Sequence, residues 1–392
     1  MQSCAASMLL AAVCSASAAA PAPALAHGHL AQHRARSGHP GTTYNEADFA
    51  RVAKFDAHFH ANRPDPTALA IARRDRFQVL SINVDYPDFP VLAQQAAIAE
   101  RMHRKDPAHF QYATTLSMAG FGLPEWPART IAAIDRALAN GALAVKVWKN
   151  IGMVVKDTAG KRVFLDDPRF DRVMQHLAQR HVPVIAHQGE PKNCWLPLDQ
   201  MTTENDRSYF REHPEYYMFL HPEEPRYEDL MAARDRFVER NPGLAFDGAH
   251  LASLEWSVNE LARFLDRHPA AVVDMAARMT NLQAQSVTDY AKVRAFLIHY
   301  QDRILYGTDL TDSAPGPNAR AQNPPATDDF AAEADRVWRS DWRYLATGRS
   351  QRVDAINADA RGLALPRAVI DKIYWSNARR FFRIVARPHP QT

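Results

Sequence analysis

The sequence predicts an α/β fold in which eight strand–helix units close into a (β/α)8 barrel. From Val52 onward, short apolar runs alternate with longer amphipathic stretches, and eight such runs can be counted. Strands that are separated by helices pair in parallel, which is the pairing that a barrel requires. The chain of 392 residues, 46% of them hydrophobic, is long and apolar enough for one such TIM barrel with insertions. A doubly wound open sheet is the alternative, but no glycine-rich phosphate-binding loop follows the first run.

The candidate strands differ from the stretches between them in length and in hydrophobic period. They span residues 53–60, 77–84, 110–116, 143–148, 182–187, 244–250, 271–275 and 304–307. Helices are expected over residues 90–105, 128–139, 169–180, 227–240, 258–267, 289–300 and 367–384. The third of these shows the pattern, because Phe170, Val173, Met174 and Leu177 recur at the spacing of one helical face.

Two connections between these elements are unusually long. One follows the fifth strand and runs from His187 to about Pro242, and the other follows Asp309 near the end of the eighth strand. In a barrel, both connections leave the carboxyl ends of strands, which is the face that carries barrel active sites. We therefore expect the long loops after strands 5 and 8 to act as lids over a site.

The two ends of the chain lie outside the predicted barrel, which covers residues 52–386. Residues 1–26 carry no charged side chain, contain a short apolar run and end in an Ala-Leu-Ala sequence. This pattern resembles a secretory signal peptide that is cleaved before His27, and it predicts export to the periplasm or the medium. Without cleavage, a cytoplasmic location follows instead. Residues 27–51 are expected to form a polar N-terminal tail, and residues 387–392 a short C-terminal tail.

The charges and the apolar runs limit the classes of partner. The net charge is +3, from 47 basic and 44 acidic residues, and the two signs are interspersed, so the sequence has no basic stripe for a nucleic acid. No apolar run approaches the roughly 20 residues that a membrane-spanning helix needs. A small-molecule substrate is therefore the expected partner, while the oligomeric state is left open.

The first predicted strand contains the motif DAHFH at residues 56–60. Since alternate side chains of a strand share a face, Asp56, His58 and His60 are expected to point into the barrel. Phe55, Ala57 and Phe59 would then pack outward, under the helices. Two imidazoles one pleat apart can bind one divalent metal ion, and Asp56 can orient a neighbouring polar group.

Three further predicted strands end in or near a polar residue that could complete such a site. The fifth, sixth and eighth strands lead to His187, His250 and Asp309. Packing explains a polar residue at the end of an apolar strand poorly, and the carboxyl ends of all barrel strands lie on one face. The sequence therefore predicts one site that contains these three residues together with His58 and His60.

The segments around these residues resemble the amidohydrolase superfamily, in particular its amidohydrolase-related branch (family 2) of metal-dependent TIM-barrel enzymes. The matching segments are DAHFH at 56–60, VIAHQGEP at 184–191, FDGAHLASLE at 246–255 and DRILYGTDL at 302–310. SNARRFF at 376–382 resembles the closing helix of that family. The segments occur in the order that the family shows, and together they cover about residues 52–386.

The resemblance implies a role for each of the five strand-end residues. His58, His60, His187 and Asp309 would bind one divalent metal ion, and Asp309 would also take a proton from the metal-activated water. His250 would polarise or protonate the reacting group. Zinc is the expected ion, with manganese or another divalent ion as the alternative, because imidazole and carboxylate ligands suit several metals.

The fourth strand and the following loops offer further candidates. A carboxylated Lys146 could bridge a second metal ion, as in two-metal members of the superfamily, but the branch resembled here usually uses one metal, and a second is not expected. Lys149, Trp148 and Trp195 are candidates for substrate binding, because they are close in sequence to the predicted mouth of the barrel.

The leading functional hypothesis is a metal-dependent hydrolase of a small molecule, in which an activated water attacks an amide, ester or lactone type bond. A metal-dependent decarboxylase or hydratase of an aromatic or small carboxylic acid on the same barrel is the first alternative, since the resembled branch contains such enzymes. A non-catalytic exported barrel that binds a metal ion or a ligand is the second alternative.

Overall fold

Parallel strands form the barrel that the sequence predicts. The computed structural model describes residues 43–63, 68–86, 89–313 and 330–384. In these residues one sheet contains β1 (Lys54–Ala61), β2 (Phe77–Ile82), β3 (Phe110–Thr115), β4 (Val145–Val147), β5 (Val184–Ala186), β6 (Phe246–Gly248), β7 (Val272–Asp274), β8 (Ile304–Leu305) and β9 (Leu310–Asp312). Neighbouring strands are parallel, in the order β8-β7-β6-β5-β4-β3-β2-β1-β9.

Strands β8 and β9 are two parts of one barrel strand, and together they close the barrel. β8 pairs with β7, whereas β9 pairs with β1 on the other side. Between them, the Ala57 amide donates to the Tyr306 carbonyl at 2.9 Å, and the Asp309 amide donates to the His58 carbonyl at 2.7 Å. Residues 304–312 therefore run without a gap between the seventh and first strands, which confirms the predicted eight-stranded barrel.

A β-bulge interrupts the regular pairing of β1 with β2. Asp56 lies opposite Val79, whereas Phe59 lies opposite Ser81, so that β1 holds one more residue than β2 over this stretch. An extra residue in one strand reverses the faces of the side chains that follow it. The side chains on the two sides of the bulge consequently do not follow one alternating pattern.

The bulge makes the predicted division of β1 into two faces wrong in part. Phe55 and Ala57 pack in the interior of the barrel rather than under the helices. Asp56 reaches the helical layer, where its Oδ2 accepts a hydrogen bond from Trp338 Nε1 at 2.9 Å. Only after the bulge does the predicted pattern hold, with Phe59 packed outward and the two histidines of the motif directed inward.

The helices surround the barrel and agree with the seven that the sequence predicts. They are α1 (Ala68–Arg74), α2 (Leu92–Lys105), α3 (Trp126–Ala139), α4 (Asn150–Met153), α5 (Asp171–Gln179), α6 (Glu204–Glu212), α7 (Tyr227–Arg240), α8 (Ala249–Ala252), α9 (Val258–Arg267), α10 (Met279–Thr288), α11 (Tyr290–His299), α12 (Phe330–Ala346), α13 (Arg367–Asp371) and α14 (Asn377–Phe381). The predicted last helix is divided into α13, a π-helical turn and α14. The prediction missed α1, α6, α10 and α12, together with the short helices α4 and α8. In α10, polar residues such as Asn281 and Gln283 lie on the buried side and obscure the helical pattern.

The amino-terminal end of the barrel is filled by apolar side chains. Phe55, Leu80, Ile185 and Leu305 pack together there, and Phe382, just after α14, closes the end. The rings of Phe55 and Phe382 stack with their centroids 6.2 Å apart. Among the described residues, the barrel interior is therefore closed at this end and opens at the carboxyl ends of the strands.

Part of the predicted N-terminal tail is packed against the barrel. Phe49 is 1% exposed, and the ring of Tyr44 lies 5.3 Å from that of Trp342 in α12. The buried Lys54 ammonium donates to the backbone carbonyls of Phe49, Val52 and Asp75. The predicted boundary at residue 52 is therefore too late, since the apolar side chains before it join the core.

Both predicted lid loops carry structure of their own. After β5, the buried residues Cys194, Met201, Phe210 and Tyr217 form a small separate core that includes α6. The second loop continues beyond α12 into an antiparallel hairpin of β10 (Ser350–Val353) and β11 (Ala358–Arg361).

Several predictions concern residues that the structure does not describe. The predicted signal peptide, the first part of the polar tail and the C-terminal tail at 387–392 lie outside the described residues. Among the helices that are described, none combines the length and the apolarity that crossing a membrane requires.

Candidate metal centre

The five predicted site residues meet at the mouth of the barrel. His58 and His60 lie in β1, His187 and His250 follow β5 and β6, and Asp309 precedes β9. All five line one cavity of about 640 Å³. The four histidines are buried, whereas the Asp309 side chain is 31% exposed, into this cavity.

Hydrogen bonds fix the orientation of three of the imidazole rings. His58 Nδ1 lies 2.7 Å from Asp274 Oδ2, His60 Nδ1 lies 2.7 Å from the Ile82 carbonyl, and His250 Nδ1 lies 2.9 Å from the Ala276 carbonyl. Carbonyl and carboxylate oxygens only accept hydrogen bonds, so each Nδ1 carries the proton. In the neutral ring, each Nε2 then presents a lone pair.

Two of these Nε2 atoms face the same carboxylate oxygen. Asp309 Oδ1 lies 3.2 Å from His60 Nε2 and 3.4 Å from His58 Nε2. Lone pairs and a carboxylate repel each other at such distances unless a cation or a proton lies between them. His58, His60 and Asp309 thus bring three ligand atoms within 4.8 Å of one another, which is an arrangement that fits a divalent metal ion.

The ionisation states also suit metal binding. Burial, with the nearby Lys146, lowers the pKa of His58, and burial holds the pKa of His250 well below its usual range. Burial alone would raise the pKa of Asp309, but the surrounding histidines, His250 foremost, hold it well below its usual range. Neutral imidazoles and an ionised carboxylate are the forms that bind a metal ion.

His187 is in the cavity but lies apart from the three-residue group. Its ring centroid is 4.1 Å from that of His250, and its buried Nε2 has no hydrogen-bond partner among the described residues. Burial holds the pKa of His187 well below its usual range, so the ring is neutral. A buried ring nitrogen without a hydrogen-bond partner is available as a ligand, although the structure does not place His187 in the group of His58, His60 and Asp309.

Asp274, at the end of β7, connects two of the site histidines. Its Oδ2 accepts from the His58 ring, while its Oδ1 accepts from the backbone amides of His250 and Ala276 at 2.8 and 3.0 Å. Burial tends to raise the pKa of Asp274, but His58 outweighs it and lowers the pKa to about 2. From the sequence, a carboxylate at the end of the seventh strand can hydrogen-bond the site or cap the following turn, and in the structure Asp274 bonds the site.

The chain adopts an unusual conformation around His250. His250, Leu251, Ala252 and Ser253 have φ values of 58°, 57°, 54° and 56°, which form a left-handed turn. Gly248 precedes this turn, and a Cβ at that position would lie 2.6 Å from the Ala252 Cβ. The close approach explains the glycine, and the turn directs the His250 ring into the cavity.

Asp56 holds the segment before Asp309 from the opposite side. Its Oδ1 accepts from the Thr308 amide at 3.0 Å, and its Oδ2 accepts from the Thr308 hydroxyl at 2.6 Å. Asp309 itself has a φ of 68°, a conformation that non-glycine residues rarely adopt. Asp56 therefore orients a neighbouring polar group, as the sequence suggested, although it does so from outside the barrel interior.

Residues in and after β4, with Tyr86 after β2, place positive charge and aromatic rings in the cavity. Lys146 Nζ lies 3.1 Å from His58 Nε2, and burial lowers the pKa of Lys146 to about 8. Lys149 forms an ion pair with Glu190. Trp148 lines the cavity, with its ring 5.1 Å from that of Tyr86.

The structure does not place Trp195 among the described residues that line the cavity. Its indole nitrogen donates to the Pro225 carbonyl at 3.1 Å, and its ring packs on Tyr227. Proximity to His187 in sequence was a poor guide here, because Trp195 packs against the small core of the loop after β5, whereas other residues of that loop reach the cavity. Trp195 therefore packs against its own loop and Tyr227, and its predicted contact with substrate stays a prediction.

Other cavity residues carried no signal that sequence analysis could use. Arg278 lies four residues beyond the end of β7, Tyr86 and Phe89 come from the loop after β2, and Tyr209 comes from α6. Residues at the last positions of strands can be located from the sequence, whereas residues that fold back from other segments cannot.

The fold and the site together define a barrel protein with a candidate metal centre at the carboxyl ends of its strands. Residues 55–384 match the model of the family described as Amidohydrolase, and the chain belongs to this family. Members of the family depend on divalent metal ions, and the histidine and aspartate group described above fits such an ion. The match also supports an enzyme over a non-catalytic binding protein.

Solved structures resemble the chain at low identity. A 2,6-dihydroxybenzoate decarboxylase from Rhizobium has 14% identity over 85% of this chain and 99% of its own, with a TM-score of 0.49. A 4-oxalomesaconate hydratase from Rhodopseudomonas palustris has 12% identity over 84% and 95%, with a TM-score of 0.43. A 5-carboxyvanillate decarboxylase from Novosphingobium aromaticivorans, solved with bound manganese, has 13% identity over 86% and 99%, with a TM-score of 0.42. No curated protein matches the chain.

Proposed function

We propose that the protein is a metal-dependent hydrolase of a small molecule with an amide, ester or lactone type bond. The observation that carries the proposal is the Asp309 carboxylate, which lies within 3.4 Å of two histidine nitrogens, at a cavity surface. When bound by His58, His60 and Asp309, with His187 beside them, a divalent ion supplies Lewis-acid chemistry and lowers the pKa of water. Zinc and manganese are the ions to test first, since the donor set suits both.

Asp309 and His250 move the protons of the proposed reaction. Asp309 Oδ1 faces the two histidines, and its other oxygen, Oδ2, takes a proton from the attacking water. His250 keeps its Nδ1 proton on the Ala276 carbonyl, so its Nε2 is the atom that exchanges a proton with the substrate. Lys149 and Trp148, which line the same cavity, contact the bound molecule.

Decarboxylation of an aromatic acid is the second candidate. The observation that favours it is the aromatic part of the cavity wall, which consists of Tyr86, Phe89, Trp148, Tyr209 and Phe210. Flat rings suit a planar substrate, and a carboxylate on such a substrate is the group that decarboxylation removes. The two candidates use the same residues but differ in which bond breaks.

One experiment separates the two candidates. The purified protein is analysed for bound metal by atomic emission and then assayed against esters, lactones, amides and aromatic acids in water enriched in oxygen-18. A hydrolase incorporates the heavy oxygen into its product, whereas a decarboxylase releases carbon dioxide and takes a solvent hydrogen at the vacated carbon. Full activity in protein that contains no stoichiometric divalent metal would contradict both candidates.

A further inference from the structure

We propose that Arg278 binds a carboxylate group of the substrate, so that the enzyme acts on a small carboxylic acid. The inference rests on the proposed function, because it names the class of molecule that the same cavity takes. Arg278 lines the cavity, and it has no acidic partner among the described residues.

Backbone hydrogen bonds fix the position of the Arg278 turn relative to Asp309. It lies in the turn between β7 and α10, where its amide donates to the Met275 carbonyl at 3.0 Å. The preceding amide, of Ala277, donates to the Thr308 carbonyl at 3.1 Å. The turn that bears Arg278 is thus hydrogen-bonded to the residue before Asp309. Arg278 and His250 line the same cavity.

The guanidinium of Arg278 is poorly satisfied by the protein. Nη1 donates to the Ala277 carbonyl at 3.1 Å, but Nε is buried without a hydrogen-bond partner in the described part of the chain. No described carboxylate pairs with Arg278 within 4.0 Å, whereas the cavity lysine Lys149 has Glu190 as its partner. A buried donor without an acceptor costs free energy, so the protein leaves this guanidinium incompletely satisfied, and Arg278 lines a cavity whose occupant can accept hydrogen bonds from it.

Glu255 is an acid whose pKa Arg278 acts to lower, but no hydrogen bond joins the two side chains. Glu255 Oε1 accepts a hydrogen bond from the Lys192 amide at 2.8 Å, and Oε2 is buried without a partner among the described residues. Burial raises the pKa of Glu255 to about 7, although Arg278 acts to lower it. Glu255 therefore leaves the charge of Arg278 available to a molecule in the cavity.

A carboxylate matches this site better than a phosphate does. The planar guanidinium can hold a carboxylate through two parallel hydrogen bonds. The cavity already contains the acidic side chains of Asp206, Glu190 and Asp309, which disfavour a doubly charged group. The aromatic side chains of the same cavity provide an apolar surface for the carbon skeleton of the acid.

Benzoate and benzamide test the proposal, because they are similar in shape and differ in charge. Calorimetric titrations use the full chain after removal of metal with a chelator, so that a metal ion cannot bind the carboxylate. In Arg278→Gln the benzoate affinity is expected to fall about 10- to 100-fold, while benzamide binding stays unchanged. The matched control is Arg263→Gln on α9, an exposed arginine paired with Glu260, which is expected to change neither titration.

Three results would overturn the proposal: equal benzoate affinity in wild type and Arg278→Gln, no measurable benzoate binding by the wild type, or inorganic phosphate binding as tightly as benzoate. Should circular dichroism show that Arg278→Gln is unfolded, Arg278→Lys replaces it, with weaker benzoate binding and unchanged benzamide binding expected. The titrations measure binding to the metal-free protein and do not depend on turnover. Their result therefore holds even if the protein proves not to be a metal-dependent hydrolase. If the wild type binds metal and turns over substrate but Arg278→Gln binds benzoate as tightly as the wild type, the proposed function stands and only the role of Arg278 is refuted.

Discussion

Asp309 has a left-handed backbone conformation, which non-glycine residues intrinsically disfavour. A left-handed backbone costs a non-glycine residue about 1–2 kcal/mol, and its carboxylate faces two ring nitrogens at close range. The bonds from the Asp309 amide to His58 and from Thr308 to Asp56 hold the residue in this place. Strain that surrounding contacts maintain is typical of functional positions, which agrees with a role in binding a cation.

Replacing Asp309 by asparagine should abolish most of the turnover. We expect kcat to fall by at least about 100-fold, because the amide cannot accept the proton that the carboxylate accepts. The fold should remain, since the two side chains have nearly the same shape. Turnover and metal content are measured together, with Asp302→Asn, an exposed residue paired with Lys372, as the control. Turnover near the wild-type value would refute the proposed role.

Asp274→Asn should weaken metal binding without removing a proposed metal ligand. Asp274 accepts the Nδ1 proton of His58 at 2.7 Å, and losing the charge of that acceptor makes the ring a poorer ligand. We expect metal affinity to fall about 10- to 100-fold. A competition titration with a chromophoric chelator measures the affinity, and an unchanged value would show that Asp274 does not support the site through His58.

At the scale of elements, α12 contributes a buried acid whose charge state depends on pH. Asp341 accepts a hydrogen bond from Tyr306 at 2.9 Å, and burial raises the pKa of Asp341 to about 7. A carboxyl group with a raised pKa in the folded state contributes most to stability below the unfolded pKa, near 4. This contribution is lost as the pH rises through about 7.

The effect of Asp341→Asn on unfolding should therefore change with pH. The free energy of unfolding of the variant minus that of the wild type is expected to increase from pH 4 to pH 8, by up to about 4 kcal/mol. Asparagine can still accept the Tyr306 hydrogen bond, so the comparison isolates the ionisation. Urea unfolding at both pH values provides the free energies. A difference between the two proteins that stays constant with pH would contradict the assignment.

The segment after α14 closes the lower end of the barrel, and its neighbouring phenylalanines allow a matched comparison. Phe382 is 2% exposed and packs in the barrel interior, whereas Phe381 is only partly buried. We expect Phe382→Ala to lower the free energy of unfolding by about 3–5 kcal/mol and Phe381→Ala to cost clearly less. Thermal and urea unfolding measure both. Equal losses would mean that Phe382 does not form the base of the barrel.

In the described part of the molecule, the barrel opens at the end that carries the candidate metal site and the long loops. Apolar side chains fill the opposite end, and the loop after β5 and the β10–β11 hairpin contribute residues to the cavity wall. The net charge of +3 is small, so a bound divalent ion would dominate the local field. Export of the protein stays a prediction, which N-terminal sequencing of the mature chain would test.

Metal removal should lower the thermal stability of the whole domain. A metal ion that binds only the folded protein stabilises it by an amount that depends on concentration, about 2.7 kcal/mol at 100 times Kd. We expect the Tm to fall in excess chelator and to rise again with added zinc or manganese. His58→Ala serves as the control, and its Tm should respond far less to either ion. An identical response of wild type and variant would indicate binding elsewhere.

Much of the site could be predicted because its residues lie at the ends of strands. Hydrophobic period is a local property, and the eight apolar runs marked where His58, His60, His187, His250 and Asp309 leave the barrel. The sequence leaves the role of Asp274 open, since a carboxylate at a strand end can cap the following turn as readily as it can bond a histidine. Its contacts arise between residues far apart in sequence, and no local pattern encodes them.

The amino-acid sequence by itself determined the barrel, the number of its strands and the face on which chemistry is possible. These features follow from residue type and spacing along short segments, where local periodicity decides the structure. The tertiary structure decided which side chains meet: the bulge in β1 turned Asp56 away from the interior, and loop packing withdrew Trp195. It also brought Arg278 into the cavity, because the paths of loops depend on packing between distant parts of the chain.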